Sequence, residues 1–247
     1  MNFSPFSLEN KTILVTGASS GLGAATAVEC SRVGAKLIIT GRNVERLNDT
    51  YKLLNGQEHV QLAMDLTREE NLDHLVNELP VLDGLVLSAG ITKTIPVNFI
   101  SKDNIDKILQ TNIVSSMLFI KKLIRSKKMN SGSSIVFISS IGSNKAYFGN
   151  SVYSASKGAV NSFSKVLALE LAPRKIRSNC IEPGIIPTKL SFEGTFSKEQ
   201  LLEHEKHYPL GFGEPIDVAY GCIYLLSDAS KWVTGSVLTI DGGVTLK

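Results

Sequence analysis

Tyr153 and Lys157 stand four residues apart in the run Tyr153-Ser154-Ala155-Ser156-Lys157, and Ser140 lies thirteen residues before the tyrosine. Four residues is just over one helical turn, so the phenol and the ammonium leave a helix on one face. A phenol with an ordinary pKa of about 10 exchanges protons poorly near neutral pH. A neighbouring ammonium favours the phenolate and lowers that value. Tyr153 could then give a proton to a substrate oxygen or take one from it, with Ser140 as a second hydrogen-bond partner for the same oxygen. A Tyr/Lys pair alone is more often a half-buried ring beside a solvated charge, so the assignment depends on the elements that position the pair.

The N-terminal region supplies the first of these elements. Lys11-Thr12-Ile13-Leu14-Val15-Thr16 is an apolar, β-branched run that suits a buried strand, and Gly17-Ala18-Ser19-Ser20-Gly21-Leu22-Gly23 follows at once. Ala24, Ala27, Val28 and Val33 then recur near a helical period, with Gly34 as a stop. Strand, glycine turn and helix are the context of a dinucleotide phosphate site. Gly17 would permit the tight turn, Gly21 the close approach of a pyrophosphate and Gly23 close helix–strand packing. The helix N-terminus would offer free N–H groups to the phosphates.

Further strands are predicted at Lys36–Thr40, Val60–Met64, Gly84–Leu87, Ser134–Ser139, Ile176–Ile181 and Val237–Ile240. Helices are predicted near Asn104–Arg125, around Tyr153 and Lys157, and near Ile216–Leu226. This alternation predicts an α/β fold with a parallel sheet covered on both faces. Ser140, Pro183-Gly184 and the glycine turn each follow a strand, so they would meet at the carboxyl edge.

Together these motifs resemble the classical short-chain dehydrogenase/reductase family, over about Leu8 to Gly243. The correspondence runs through the turn at 16–23, Asn112, Ser140, Tyr153 with Lys157, and Pro183-Gly184-Ile185-Ile186-Pro187-Thr188. It continues to the tail at Asp241-Gly242-Gly243. The resemblance implies a single Rossmann-type domain, residues 1–247, with a doubly wound parallel sheet. It implies hydride transfer between a nicotinamide and a carbonyl or alcohol carbon. Ser140 and Tyr153 would bind the oxygen, Lys157 would tune Tyr153 and bind the nicotinamide ribose, and Asn112 would hold a water beside Lys157. Ser139 is a rival for Ser140, but only Ser140 has the family's spacing to Tyr153. The implied cofactor contacts are Gly17, Ser19, Ser20, Gly21, Leu22, Gly23, Asp65, Leu66, Ala89, Gly90, Pro183, Gly184, Ile186 and Thr188, besides Tyr153 and Lys157. Asp65 would meet the adenine, although it could also cap a helix starting near Thr67.

In the family, an acidic residue ending the second strand binds a ribose 2′-hydroxyl. Here that position is Gly41, and Arg42 follows. A guanidinium in place of a carboxylate favours a 2′-phosphate, so NADP(H) is expected over NAD(H). The family's NNAG segment reads Leu87-Ser88-Ala89-Gly90, so both bracing asparagines are gone. Phe212 stands where many relatives carry arginine. The segment 189–212 is expected to form a substrate lid. Overall similarity is nearest to 3-oxoacyl-[acyl-carrier-protein] reductases, which implies a thioester on an acyl carrier. Leu169 replaces an arginine of that group, and a sugar, steroid-like or small secondary alcohol is the other substrate reading. A non-catalytic nucleotide sensor on the same fold is the reading from another class. A homotetramer is implied by the same resemblance.

The bulk properties fit. The chain has 247 residues, 43% of them hydrophobic, and a net charge of +3. No long block of like charge points to nucleic acid or an anionic membrane. No secretory signal and no membrane-spanning apolar run is evident. The three cysteines, Cys30, Cys180 and Cys222, have no zinc or disulfide spacing, which suits a reducing cytoplasm. His204 and His207 have a spacing that could hold a metal, but solvated lid histidines are commoner and no metal is expected.

Overall fold

The computed structural model describes residues 4–188 and 203–246. Seven strands form one sheet: β1 (Thr12–Thr16), β2 (Lys36–Gly41), β3 (Val60–Ala63), β4 (Leu82–Leu87), β5 (Met129–Ile138), β6 (Arg177–Pro183) and β7 (Val237–Ile240). Their spatial order is β3-β2-β1-β4-β5-β6-β7, and every pairing is parallel. The central strands β1, β2 and β4 are largely apolar and buried because both faces of a parallel sheet are covered.

Side-chain alternation along the strands divides the core in two. Leu14, Leu85, Ile135 and Phe137 point to one face, against Leu72 and Leu75 of α3 (Glu69–Glu78) and Phe119 and Leu123 of α5 (Ser115–Arg125). Val160 and Leu167 of α6 (Ser151–Leu171) complete that layer. Ile13, Val15, Val136 and Ile138 point to the other face. They meet Ala27 and Cys30 of α1 (Gly21–Arg32), Leu47 of α2 (Val44–Lys52), and Val218 and Cys222 of α7 (Pro215–Leu226). All three cysteines are free and buried, as small core residues. Among the described residues, no helix is long and apolar enough to cross a membrane.

The chain leaves β1 towards β2 and β3, then returns to β4 on the other side of β1. That reversal opens a crevice beyond the carboxyl ends of β1 and β4.

The helix expected near Asn104–Arg125 is not continuous. α4 (Lys102–Leu109) is capped by Ser101, whose Oγ accepts from the Asn104 N–H at 3.2 Å, and it runs into a π-helical turn at Gln110–Val114 before α5 begins. Two hydroxyls compete for carbonyls around this turn: Thr111 Oγ1 donates to Lys107 O at 2.8 Å and Ser115 Oγ donates to Thr111 O at 3.0 Å. The wide turn carries Asn112, which is 3% exposed.

Candidate active site

The glycine turn is set by close backbone contacts. Gly17 has φ +67°, and a Cβ there would lie 2.7 Å from Ala89 N in the loop after β4. A Cβ on Gly23 would lie 2.4 Å from the Gly17 carbonyl oxygen, so Gly23 serves helix–strand packing and is not on the cleft surface. Gly21, at φ +56°, opens α1, and the nearest atom to its missing Cβ is the Thr188 methyl, at 3.6 Å. Ser20 is extended and its side chain makes no cap bond, which leaves first-turn N–H groups for a ligand.

The missing asparagines of the β4 loop have identifiable replacements. Thr16 Oγ1 accepts from Ser88 N at 3.2 Å and Ala89 N at 3.3 Å, tying the two loops together. Leu87 is buried in the core shared with α3 and α5. Polar bracing has been exchanged for one hydroxyl and apolar packing.

A cleft of about 760 Å³ runs along this edge. Gly17, Ser19, Ser20, Gly21, Leu22, Arg42, Asp65, Leu66, Ala89, Gly90, Pro183, Gly184, Ile186 and Thr188 line it together with Ser140, Tyr153 and Lys157. Gly23 and Asn112 are the expected site residues that do not. Asp65 does not cap α3, whose N-cap is Arg68. Instead its Oδ1 accepts from Thr67 N at 3.0 Å and Thr67 Oγ1 at 2.8 Å. Burial alone would raise its pKa, but the Thr67 hydrogen bonds and the charges of Arg42 and Arg68 hold it below the usual range.

Arg42 is exposed at this end, and Arg46 lines the cleft beside it, a residue the sequence reading missed. Asn43 caps α2, with Oδ1 accepting from Arg46 N at 2.8 Å. That cap sets Arg46 in the first turn, so helix phase counted from Asn43 was the signal available.

At the other end, Ser140 Oγ and the edge of the Tyr153 ring both lie within 3.6 Å of where a Gly142 Cβ would be, and the Ser140 hydroxyl acts to lower the Tyr153 pKa. Ser140 Oγ also accepts from Gly142 N at 3.1 Å, at the start of the turn Ile141–Ser143. Ser139 Oγ is engaged elsewhere, donating to Lys157 O at 3.3 Å, so the two serines are told apart by their partners. Lys157 is buried, donates to Ile138 O at 2.7 Å, and has Nζ 5.8 Å from the centre of the Tyr153 ring. Burial lowers its pKa to about 8. The expected lowering of the Tyr153 pKa is not what this geometry produces: burial raises it, and the Ser140 hydroxyl only partly offsets that. Desolvation outweighs a lysine whose ammonium is turned to a carbonyl.

Asn112 also departs from expectation. Its Oδ1 accepts from Ile91 N at 2.8 Å, and its Nδ2 donates to Ile91 O at 3.0 Å and to Ser156 Oγ at 2.9 Å. The amide is occupied in tying the π turn to the loop after β4 and to α6. Its Oδ1 and Lys157 Nζ both lie within 3.6 Å of where a Gly90 Cβ would be.

Of the expected lid, residues 189–202 lie outside the described residues, Phe192, Glu193, Phe196, Glu199, Leu201 and Leu202 among them. His204 lines the cleft. Tyr208 does not. It is buried, accepts from Ile185 N at 2.9 Å, and packs edge-on against Phe212 at 4.9 Å. Thr92, Thr94, Tyr147, Phe148 and Asn150 line the mouth and were not anticipated. Among the described residues, no group of three or more His, Cys, Asp or Glu could hold a metal ion.

Comparison with known proteins agrees with this geometry. The family model described as enoyl-(acyl carrier protein) reductase matches residues 17–245. The human 3-oxoacyl-[acyl-carrier-protein] reductase is 37% identical over 244 residues, covering 96% of this chain and 99% of the relative. A crystal structure assigned as a short-chain alcohol dehydrogenase of Sinorhizobium meliloti 1021 superposes with a TM-score of 0.92. It is 29% identical and covers 99% of this chain and 100% of that one. One assigned as an NAD(P)-dependent gluconate 5-dehydrogenase of Beutenbergia cavernae, with NADP bound at low occupancy, has a TM-score of 0.89 at 29% identity, with the same coverage. The chain belongs to the classical short-chain dehydrogenase/reductase family, a family of oxidoreductases that bind a nicotinamide cofactor. The residues present fit such a group, because Gly21 leaves the turn open over unsatisfied helix N–H groups and the cleft continues from there to Tyr153.

Proposed function

We propose that the protein is an NADP(H)-dependent oxidoreductase that interconverts a carbonyl and a secondary alcohol, with Tyr153 as the general acid and base. The observation that carries this reading is that Ser140, Tyr153 and the buried Lys157 line one cleft together with Arg42 and Arg46. When bound, the nicotinamide supplies or accepts the hydride. In reduction, Ser140 donates a hydrogen bond to the carbonyl oxygen as charge develops there, and Tyr153 delivers the proton. A phenol whose pKa is raised is protonated at neutral pH, which suits that direction. Lys157 holds positive charge behind the tyrosine, and Asn112 secures the loop beneath it.

NADP(H) is favoured because two guanidiniums, Arg42 and Arg46, line the adenosine end, where either can grip a 2′-phosphate. A 3-oxoacyl thioester on an acyl carrier is the first substrate candidate, supported by the human relative. A sugar or small secondary alcohol is the second, supported by the hydroxyl and amide groups of Thr94, Tyr147 and Asn150 at the mouth. We further infer a cytoplasmic homotetramer acting as a single domain, with residues 189–212 as the substrate lid. Its support is free thiols and exposed apolar side chains, Val166 and Leu169 on α6 and Trp232 near β7.

The test is loss of NADPH absorbance with a 3-oxoacyl thioester, a ketose and simple ketones, beside NADH and a Tyr153→Phe control. Turnover with NADPH, abolished in the control, supports the reading. Tight NADPH binding with no turnover on any carbonyl or alcohol favours the nucleotide sensor.

A further inference from the structure

We infer that Glu182 is a positioning residue for Ser140, an inference that rests on Ser140 binding the substrate oxygen. Glu182 is the penultimate residue of β6, directly before Pro183-Gly184, and is 2% exposed. Its hydrogen-bond partners are neutral donors. Asn144 Nδ2 donates to Oε1 at 3.0 Å and to Oε2 at 2.9 Å, Asn161 Nδ2 donates to Oε1 at 2.6 Å, and Ser143 Oγ donates to Oε1 as well. Ser143 and Asn144 close the turn that Ser140 opens, with Ser143 N donating to Ser140 O at 3.0 Å. Asn161 lies four residues beyond Lys157, on the same face of α6. One carboxylate therefore ties together the Ser140 turn, the end of β6 and the helix that carries Tyr153 and Lys157.

The arrangement is costly as packing. A buried carboxylate loses its hydration, and Asn161 Oδ1 is left buried without a partner. An apolar residue with apolar neighbours in place of Ser143, Asn144 and Asn161 would fill the same space without either penalty. What the carboxylate adds is direction: acceptor-only oxygens fix where Ser143 and Asn144 point. Those residues in turn hold Gly142 N on Ser140 Oγ, which leaves the serine proton for Tyr153 or a substrate. A glutamine at 182 would set its own NH₂ against some of these donors and release the turn.

The experiment is a double-mutant cycle on the purified full chain, using the carbonyl that NADPH reduces fastest. Glu182→Gln should lower kcat by about 10- to 100-fold while the KM for NADPH changes less than about twofold. Added to Ser140→Ala, it should slow the enzyme no further. Ser143→Ala, a milder cut in the same clamp, should give a smaller loss with the same non-additivity, and it serves if Glu182→Gln does not fold. If no carbonyl is turned over, amide exchange decides: the Gly142 N–H should exchange at least about tenfold faster in Glu182→Gln, with α7 unchanged. Unchanged kcat, losses that multiply with Ser140→Ala, or unchanged Gly142 exchange would overturn the proposal. Full activity of Ser140→Ala would instead overturn the reading of Ser140, and this inference with it.

Discussion

Tyr153 and Lys157 carry opposite burial effects, and each has a measurable consequence. Replacing Tyr153 with Phe removes the phenolic proton and little volume. Turnover should fall by about 10²–10⁴-fold, with NADPH affinity retained, as read by cofactor fluorescence. Lys157 drops from an ordinary 10.5 to about 8 because it is buried, a penalty of about 3 kcal/mol on the charged native state. Below pH 8 the lysine is charged in the native and the unfolded chain, so the penalty is fully present. Between about 8 and 10.5 the native state loses the proton while the unfolded chain keeps it, so the penalty is relieved and stability rises with pH. Urea denaturation of the cofactor-free protein should show that rise relative to Lys157→Met. Parallel curves through this window would contradict the assignment. The Tyr/Lys spacing was legible in the chain, but the sign of the Tyr153 shift was not. It depends on how much water the folded site excludes and on where the Lys157 ammonium turns.

At the scale of elements, two junctions stand out. The π turn at Gln110–Val114 lets Asn112 reach across to both backbone groups of Ile91. Asn112→Leu leaves a part-buried N–H and carbonyl of Ile91 without these partners, at about 1 kcal/mol each. A lowered denaturation midpoint, together with faster amide exchange at Ile91, would bear this out, and unchanged exchange at Ile91 would not. The start of α2 is the second junction. If Arg42 and Arg46 bind a 2′-phosphate, changing both to Ala should raise the KM for NADPH by about 10- to 100-fold and leave that for NADH nearly unchanged. Equal losses for both cofactors would point to general weakening of the adenosine end. Arg42 was visible from its place after Gly41. Arg46 needed the cap of α2 to bring it back to the cleft. The π turn was invisible because a helical period of apolar residues passes through it unbroken.

For the whole molecule, the apolar side chains left exposed set the expectation. Leu169 is 77% exposed and Trp232 97%, a cost in water that an assembly of copies would remove. Sedimentation should give a species of about four chains, and Leu169→Glu with Trp232→Glu should split it. A wild-type monomer at micromolar concentration would reject the homotetramer.

The order of the strands, the carboxyl edge where the loops gather and the strand–glycine turn–helix at the start were legible in local patterns, whereas α2 and α3 were not among the predicted helices. Strand and helix periods, β-branched runs and glycine at tight turns are properties of neighbouring residues, and a parallel α/β chain has few ways to wind. The spacing had favoured Ser140 over Ser139, and only the tertiary structure showed why Ser139 is unavailable: its hydroxyl donates to Lys157 O. The tertiary structure also placed the amide of Asn112 on a backbone instead of beside the cleft, and packed Leu87 into the core where the family carries an asparagine. It brought Glu182 beneath the Ser140 turn. Each of these joins residues far apart in the chain, and the direction of a hydrogen bond or the loss of water exists only once the fold has brought them together.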